Sequence, residues 1–558
     1  MALTLTFHGA AECVTGFCAR LSSDDFTLLI DCGMFQGSKT LKALNYEPFP
    51  FDVSKVDAVL LTHAHIDHSG MLPKLMRAGY SGPIYATAAT RALCEVMLAD
   101  AGEIQESEVF HLNRRNQQRG RPQVEPVYTA RDAAKTMDLF RKVKIDDLVD
   151  IVPGVKARYW NAGHMLGAAS IELIVEVDGE TQTLLFSGDL GAGGQDYLPE
   201  PTGPSGIDHL VLESTYGDRE REAADTVGRR RLLAEELRQA HAAGGPLLMP
   251  TFAVGRAQEL LLDLLAVMES GEAPRGEIFL DSPLAIEATD VFLERGWNRD
   301  TETNSFTKLS HAAHLHYLMK PQESDQLERL RDWHIILAGS GMCDAGRIRR
   351  HLKRLLWRPE VTVLISGFQA AGTLGRLLVD GKRLVRIQGD DVRVKARIRV
   401  IDVYSAHADA AGLVRWASDR QPIKAQVFLA HGEPGALEGL SERLKAAGFD
   451  PARIAIPALD QTFQLSPSGG ARLIGARPPR LAPGRAASLD WHNERADLFV
   501  RLNARIQEAP SEEARQRLLR ALAAVLDAAD AEAGSSDPDS EADPAIPKAA
   551  QGVQSDDV

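Results

Sequence analysis

The sequence predicts an α/β protein that is built from more than one domain. Its 558 residues exceed what one hydrophobic core usually organises. Short β-rich runs dominate residues 1–205 and return over 396–470, whereas residues 206–395 alternate apolar strands with helical segments. That alternation is typical of a parallel α/β layer, whose ligand sites lie beyond the carboxyl ends of its strands. The chain therefore has three successive parts and a C-terminal extension.

The extension divides into a linker, a helical segment and an acidic tail. Residues 471–489 contain the run RPPRLAPGR and are predicted to be a linker. Over 490–530, leucine and isoleucine recur every four residues, which predicts two amphipathic helices interrupted at Pro510. Residues 531–558 hold seven acidic residues against Lys548 and little that is large and apolar, so this tail is predicted to be disordered.

Composition limits the classes of function. A net charge of −14 would argue against a nucleic-acid partner. The predicted tail supplies −6 of that charge, so the rest of the chain is only mildly acidic. Whether a nucleic acid can bind then depends on local basic patches. The chain contains no apolar run of about 18 residues, which argues against a membrane partner. Its five scattered cysteines match no disulfide framework, and we predict a cytoplasmic protein.

The stretch LTHAHIDHSG carries a dense group of possible metal ligands directly after an apolar strand. His63 and His65 lie two residues apart and would point to one side, and a tight turn can bring Asp67 and His68 round to join them. Imidazole nitrogen and carboxylate oxygen are ligands of catalytic zinc and its neighbours in the transition series. One loop can thus begin two adjacent metal positions.

Three further segments supply what such a site would still lack. His164 lies in the loop GHMLGA, Asp189 ends the apolar run LLFSGD, and His431 ends the apolar run VFLAH. Each is weak alone, since an aspartate after a strand is usually a turn residue. Together with the first loop they provide five histidines and two aspartates, a plausible ligand count for two metals.

These motifs, HAHIDH, GHMLGA, SGD and AHGE, resemble the ordered motifs of the metallo-β-lactamase fold. The later segments LVLESTYGD and VYSAHAD resemble its β-CASP branch, nucleic-acid hydrolases that include ribonuclease J and the endonuclease of mRNA 3′-end processing. The resemblance implies an αββα sandwich formed by residues 1–205 and 396–470. It also implies that residues 206–395 form an inserted β-CASP domain that binds substrate.

By the same resemblance, the seven motif residues would hold two zinc ions. One ion would take His63, His65 and His164, the other Asp67, His68 and His431, and Asp189 would lie between the two. Asp31, which ends TLLID, matches an acidic motif of the family. It would orient the metal loop through hydrogen bonds.

The resemblance also implies a reaction, the hydrolysis of RNA phosphodiester bonds. A hydroxide activated by the two metals would attack phosphorus, and His407 would protonate the departing ribose oxygen as general acid. Glu213 would be the partner of His407, since a neighbouring carboxylate raises the pKa of an imidazole. Asp67 is predicted to serve in catalysis as well as in metal binding.

Three glycine-rich loops after strands of the middle part are predicted to contact single-stranded RNA, because their backbone N–H groups can approach phosphate. The candidate contact residues are Ser340, Gly341 and Arg347 in AGSGMCDAGR, Ser366, Gly372, Thr373 and Arg376 in SGFQAAGTLGR, and Arg256 in TFAVGR. The basic runs 347–358 and 393–400 could add phosphate contacts, and the Arg-rich segment 113–122 is predicted to be an exposed loop.

Rival functions remain open on the sequence. A small-molecule metallohydrolase of thioesterase or glyoxalase type would explain the motifs up to Asp189, but not Glu213 with His407. A metal-depleted RNA-binding scaffold would lack ligands that are present here. A DNA-directed β-CASP nuclease carries valine where the resemblance places His431, so RNA is favoured. Endo- or exonucleolytic mode, sequence preference and oligomeric state are undetermined.

Overall fold

The computed structural model describes residues 3–177, 179–194, 197–220, 225–295, 305–370, 372–466, 470–474, 480–481 and 491–533. Most of the predicted linker and the predicted tail from residue 534 lie outside these ranges. Among the described helices, none combines the length and the apolarity that a bilayer crossing demands.

The first part of the chain, up to residue 213, is rich in strands. Its strands are β1 (Thr4–Gly9), β2 (Cys18–Ser22), β3 (Thr27–Ile30), β4 (Ala58–Leu60), β5 (Ile84–Thr87), β6 (Phe140–Val143), β7 (Leu148–Val152), β8 (Val155–Asn161), β9 (Ala169–Val177), β10 (Glu180–Phe186) and β11 (His209–Glu213). Its helices are α1 (Lys39–Leu44), α2 (Ile66–Ser69), α3 (Leu72–Arg77), α4 (Ala88–Gln118) and α5 (Ala130–Thr136). Helix α4 continues to Gln118, so most of the segment predicted as an Arg-rich loop is helical.

The middle part alternates strands and helices, as its apolar pattern predicts. Its elements are α6 (Thr226–Ala242), β12 (Leu247–Pro250), α7 (Arg256–Glu269), β13 (Glu277–Leu280), α8 (Pro283–Arg295), β14 (Leu315–Tyr317), α9 (Pro321–Gln326), β15 (His334–Ala338), α10 (Ile348–Leu355), β16 (Thr362–Ile365), α11 (Leu374–Val379), β17 (Leu384–Ile387), β18 (Asp390–Arg393) and β19 (Arg397–Val400). Parallel pairing joins six of these strands in the order β14-β13-β15-β12-β16-β19. Strands β17 and β18 form a separate hairpin.

The last part returns to the first two sheets and then continues into the extension. Its elements are α12 (Ala410–Ser418), β20 (Gln426–Ala430), α13 (Pro434–Ala446), β21 (Ile454–Ala455), β22 (Thr462–Ser466), β23 (Gly470–Ile474), α14 (Trp491–Glu508) and α15 (Glu512–Ala533). The two helices predicted for the extension are present. Residues 471–474, which were assigned to the linker, instead belong to β23, because they pair with β22.

Two sheets pack face to face in the part formed by the two chain ends. One has the order β23-β22-β1-β2-β3-β4-β5-β6 and the other β21-β20-β11-β10-β9-β8-β7. Phe7 and Leu28 from the first sheet share a buried cluster with Ile171, Phe186 and Phe428 from the second. The rings of Phe7 and Phe428 lie 5.4 Å apart, so the core between the sheets is continuous.

Helices cover the outer face of each sheet. In β4, Val59 packs with Leu72 of α3 in an outer cluster, whereas its neighbours Ala58 and Leu60 face the core between the sheets. This alternation is the period of two that a strand imposes on its side chains. Helices α12 and α13 similarly bury their apolar residues with those of β11 and β20. The layers are therefore helix, sheet, sheet and helix, and the predicted fold class is confirmed.

Strand pairing differs from the predicted domain boundaries at both ends of the insertion. Strand β11 follows residue 205 yet pairs with β10 and β20 in the second sheet. Strand β19 follows residue 395 yet pairs with β16 in the inserted sheet. An apolar run does not reveal its partner strand, so the predicted boundaries assign β11 to the inserted domain and β19 to the sandwich, whereas their pairing is the reverse. We propose that the inserted domain extends from about residue 214 to about residue 401.

A buried contact ties the first strand to the end of the sandwich. Asp460 lies 2.9 Å from Nδ1 of His8 through one carboxylate oxygen and accepts a hydrogen bond of 2.9 Å from Nε of Arg480 through the other. Burial alone would raise the pKa of Asp460, but the hydrogen bonds from His8 and Arg480 outweigh it and lower this pKa to about 2. The ionised carboxylate therefore stabilises the folded chain.

We predict that Asp460→Asn lowers the free energy of unfolding at pH 7 by roughly 2–3 kcal/mol, measured by urea titration. The folded pKa of Asp460 lies below that of the unfolded chain, so its contribution is complete above about pH 5 and shrinks as the pH falls towards 2. The difference between variant and wild type should be about half as large at pH 3. A difference that stays constant with pH would contradict this account.

Candidate metal and active site

Polar residues follow several strands that end at one edge of the sandwich. His63 follows β4, and Asp189, Glu213 and His431 follow or end β10, β11 and β20. Strands β10, β11 and β20 are parallel neighbours, so their carboxyl ends lie side by side. Residues that are more than 200 positions apart in the sequence therefore meet at one place. This edge is where ligand sites of such sheets are expected.

One group at this edge consists of three histidines and an aspartate. Nδ1 of His65 lies 3.1 Å from Nε2 of His63 and 3.1 Å from Nε2 of His164. One oxygen of Asp189, Oδ2, lies 3.4 Å from His63 Nε2 and 3.6 Å from His164 Nε2. All four possible ligand atoms lie within 4.8 Å of one another, a spacing that one metal ion can span.

A second group lies on the other side of Asp189. The Nε2 atoms of His68 and His431 are 3.2 Å apart, and Oδ2 of Asp67 is 3.7 Å from Nε2 of His431. The second oxygen of Asp189, Oδ1, is 3.2 Å from Nε2 of His68. Asp189 thus turns one oxygen towards each group. The structure brings together all seven residues in the two predicted sets, and their role as ligands stays a prediction.

The protonation states of the three histidines in the first group suit metal binding. Burial lowers the pKa of His63 to about 3 and that of His65 to about 4, and it also lowers the pKa of His164. These imidazoles are neutral near pH 7 and have lone pairs to offer. Burial alone would raise the pKa of Asp189, but the surrounding histidines hold it well below its usual range. At His68 burial alone would lower the pKa, but Asp189 and Asp31 outweigh it and raise this pKa, so a metal there would displace a proton. Imidazoles and carboxylates form the donor set that zinc and related ions take, so the residues of both groups fit a metal pair.

Asp31 lies where an orienting role requires it. Its carboxylate accepts hydrogen bonds of 2.7 Å from both the backbone N–H and the hydroxyl of Thr62. The same carboxylate lies 2.7 Å from Nδ1 of His68, which turns Nε2 of His68 towards the second group. Sequence reasoning missed Thr62, although it directly precedes His63. A hydroxyl before the histidine motif is the signal that was available.

His431 is held by its backbone and by a second threonine. Its N–H donates a hydrogen bond of 2.7 Å to the carbonyl of Ala10, and its φ of 54° turns the chain sharply after β20. Nδ1 of His431 lies 3.1 Å from the hydroxyl of Thr215. Thr215 was also missed, and it follows Glu213 by two residues in the motif LESTYGD. Both threonines fix imidazole orientation from outside the ligand groups.

The predicted catalytic pair is formed. Nδ1 of His407 lies 3.1 Å from Oε1 of Glu213, and Nε2 of His407 lies 3.9 Å from Asp189. Glu213 is buried and also accepts hydrogen bonds from the N–H groups of Leu190 and Thr215. Burial alone would lower the pKa of His407, but the charges of Glu213 and Asp189 outweigh it and raise this pKa. The exposed fraction of the His407 side chain is 16%, so a substrate can reach it.

The segment that carries His407 is anchored in a buried ionic network. Tyr404 is fully buried, and its hydroxyl donates a hydrogen bond of 2.9 Å to Asp263 of α7. Asp263 also accepts hydrogen bonds of 2.7 Å from Arg229 and from Arg230 of α6. The inserted domain thereby holds the backbone three residues before His407. Nothing in the local sequence around Tyr404 indicates these partners.

Arg256 belongs to the same network rather than to a surface. It is 6% exposed, forms an ion pair with Glu259, and its guanidinium lies 5.9 Å from the centre of the Tyr404 ring. A buried guanidinium that is engaged with a carboxylate presents little surface to RNA phosphate. The predicted RNA contact at Arg256 is therefore not supported by its placement, because an arginine in a strand-to-helix turn looks the same in sequence whether it is buried or exposed.

The residues of the first glycine-rich loop also make contacts within the protein that the sequence does not predict. Arg347 donates a hydrogen bond of 2.5 Å to the fully buried Asp281, which ties the loop to β13. The hydroxyl of Ser340 accepts two hydrogen bonds of 3.1 Å from N–H groups of its own loop. A Cβ atom on Gly341 would lie 2.5 Å from the Phe252 ring, so this glycine makes room for an aromatic side chain. These contacts give all three residues structural roles, and their contact with RNA stays a prediction.

The second loop leaves one charged candidate at the surface. Thr373 is buried and caps α11 by accepting a hydrogen bond from the N–H of Arg376. Ser366 is buried, and Gly372 has a φ of +81° that favours glycine. Arg376 pairs with Asp380 at 2.9 Å, yet its side chain is 40% exposed. Arg376 is the residue of this loop that remains placed for an RNA contact.

The predicted basic runs are largely paired with acids. In the run 347–358, Arg350, Lys353 and Arg354 form ion pairs with Asp325, Asp390 and Glu328 respectively. In the run 393–400, Arg399 binds Glu236 at 2.6 Å, and Arg397 donates to the carbonyl of Gln239. These runs stabilise contacts between elements and present less free positive charge than the sequence indicates.

Comparison with known proteins identifies the parts described above. The chain matches the model of the metallo-beta-lactamase superfamily over residues 12–227, the Beta-Casp domain over 257–378, and the Zn-dependent metallo-hydrolase RNA specificity domain over 391–457. It is 36% identical to Ribonuclease TTHA0252 of Thermus thermophilus over 79% of this chain and 95% of that protein. It is 29% identical to an RNase J-like protein of Methanocaldococcus jannaschii, over 77% of this chain and 92% of that one. It is 27% identical to the transcription termination factor FttA of Methanosarcina mazei, over 78% and 68% of the two chains.

Because Asp189 faces both ligand groups, we predict that Asp189→Asn weakens metal binding at both. The affinity should fall at least about ten-fold, since an amide offers a single neutral oxygen where the carboxylate offers two charged ones. Metal per chain is measured by mass spectrometry after dialysis, and Asp150→Asn, an exposed aspartate, is the matched control. Loss of metal from one group alone would contradict the shared position of Asp189.

Proposed function

The chain belongs to the β-CASP family of metallo-β-lactamase-fold RNA nucleases, and we propose that it hydrolyses single-stranded RNA with two zinc ions and His407 as general acid. The observation that carries this proposal is the position of Asp189. One of its oxygens faces His63, the other faces His68, and His407 lies 3.9 Å away. Two metal positions and a proton donor would therefore surround one phosphodiester.

The ligand sets follow from the two groups. His63, His65 and His164 would hold one zinc, Asp67, His68 and His431 would hold the other, and Asp189 would contact both. When bound, such a pair supplies a nucleophile at neutral pH and offsets the charge that develops on the phosphoryl oxygens. Asp67, whose side chain is 21% exposed against 2% for Asp189, is the more accessible carboxylate of the two sets.

His407 would complete the reaction by giving a proton to the departing ribose oxygen. Its Nδ1 faces Glu213, so its Nε2 is the atom that points towards the site. Glu213 favours the protonated imidazole. It also fixes the orientation of that imidazole, since the N–H groups of Leu190 and Thr215 hold the carboxylate in place. The anchored Tyr404 limits the movement of this segment, which keeps Nε2 near Asp189.

The rival function is hydrolysis of a small molecule on the same scaffold. The Glu213–His407 pair and the six-stranded inserted sheet speak against it, because a small substrate needs neither. The relatives named as ribonuclease and RNase J-like protein support RNA, and the histidine at position 431 favours RNA over DNA within the family. We also propose a cytoplasmic location, which the five buried free thiols fit.

His407→Ala should lower turnover on RNA by about 10²–10⁴-fold without loss of metal, because it removes the proton donor but no ligand. Cleavage rate and metal content are measured on the same preparation. His111→Ala, which removes an exposed histidine of α4, is the matched control and should keep full activity. Full activity in the His407 variant would overturn the general-acid assignment.

The substrate and mode of cleavage are tested with one single-stranded sequence made as RNA and as DNA, labelled at the 5′ or the 3′ end. We expect cleavage of the RNA, none of the DNA, and complete loss with a chelator. Internal fragments would indicate endonucleolytic cutting and single nucleotides exonucleolytic cutting. An RNA that stays intact with metal present would contradict the proposed function.

A further inference from the structure

A small aromatic cluster lies beside the catalytic pair and is separate from the main cores. Phe252 and Phe368 are half-buried and pack with the buried residues Val14, Met342 and Ala370. Val14 comes from the sandwich, whereas the other four come from the inserted domain. The cluster therefore lies where the two domains meet. Two neighbouring phenylalanines that stay partly exposed there offer apolar surface that a ligand could cover.

Two contacts connect this cluster to the site. The rings of His407 and Tyr216 lie 6.1 Å apart, and the rings of Tyr216 and Phe368 lie 5.8 Å apart. The loop that carries Phe252 also reaches the site, because a Cβ atom at Gly255 would lie 3.8 Å from Cβ of Met165, next to His164. Each phenylalanine is thus separated from residues of the proposed site by about the width of one side chain.

The Phe252 ring packs closely against two glycine-rich loops. A Cβ atom would lie 2.5 Å from this ring at Gly341 and 3.1 Å from it at Gly367. The side-chain amide of Gln369 donates to the carbonyls of both glycines, which joins the loops to each other. The absence of a side chain at Gly341 and Gly367 therefore allows the aromatic ring to approach the backbone closely.

We propose that Phe368, with Phe252 behind it, contacts the base of the nucleotide whose ribose oxygen departs. This inference rests on the proposed function and names a subsite within it. His407 would protonate that oxygen, so the nucleotide on its side of the scissile bond lies nearest to Tyr216 and Phe368. A base lies one ribose away from its phosphate, and Phe368 lies one side chain away from His407. Aromatic side chains stack on unpaired bases with little sequence preference, which suits a single-stranded substrate.

The test compares Phe368→Leu with wild type on two short single-stranded RNAs that differ at one nucleotide. In one RNA the nucleotide on the leaving side of the bond that wild type cleaves first is intact, and in the other it lacks its base. Leucine keeps an apolar side chain but removes the stacking face. Phe110→Leu, an exposed phenylalanine of α4, is the matched control. Thermal unfolding and metal content are measured for each variant.

We expect Phe368→Leu to lower kcat/KM on the intact RNA by about ten-fold, mostly through KM. Removal of the base should lower the wild-type kcat/KM by a similar factor and lower that of the variant no further. An equal ten-fold loss on both RNAs would give Phe368 a structural role and overturn the inference. A variant as active as wild type on the intact RNA would overturn it too.

Measurements of RNA binding distinguish a failure of this inference from a failure of the proposed function. Kd values are measured by fluorescence anisotropy with His407→Ala and with His407→Ala/Phe368→Leu, for the intact RNA and for a set of RNAs that each lack the base at one position. Base-dependent binding that requires Phe368 would support the subsite even if wild type failed to cut RNA, and that failure would contradict only the proposed function. Equal Kd values for the intact RNA and for every base-lacking RNA, on the protein that keeps Phe368, would contradict the subsite.

Discussion

The carboxylate of Asp189 is the constraint on which the rest of this site depends. It is 2% exposed, and a charge taken that far from water is unfavourable unless its surroundings compensate it. Here the compensation comes from histidines on both sides, which approach within 3.2–3.6 Å. Each of these histidines must in turn be held in one orientation. The hydrogen bonds of Asp31 and Thr62 behind His68 serve that need.

The fold satisfies this constraint through the order of its strands. Asp189, Glu213 and His431 come from three parallel neighbours, although the inserted domain separates the second strand from the third in sequence. The chain enters the inserted domain after β11 and returns from it to β20, and these two strands are adjacent in the second sheet. The insertion is therefore compatible with the site. It also takes part in the site, since Asp263 holds Tyr404 and so the segment that carries His407.

Sequence reasoning identified the residues whose motifs are local and chemically specific. His63, His65, Asp67 and His68 lie within six positions of one another, and the structure brings them together with their distant partners as the family motifs imply. The αββα layers follow from the same motifs and were predicted correctly. The apolar patterns also predict where the strands lie, because the side chains on the buried face of a strand recur at every second residue.

Features that depend on distant partners were not predictable in the same way. Arg256 and Arg347 look like exposed phosphate ligands in sequence, and only the fold shows Glu259 and Asp281 beside them. The same reason explains the two misplaced domain boundaries, since β11 and β19 are identified by their pairing partners. The glycines of the inserted domain were interpreted as phosphate loops, yet Gly341 lies against Phe252.

The central claim is that two metals lie on opposite sides of Asp189. Crystals grown with zinc and measured at the zinc absorption edge test this directly through the anomalous difference map. The account predicts two peaks, one among His63, His65 and His164 and the other among Asp67, His68 and His431, each next to an oxygen of Asp189. A single peak, or peaks away from Asp189, would contradict it.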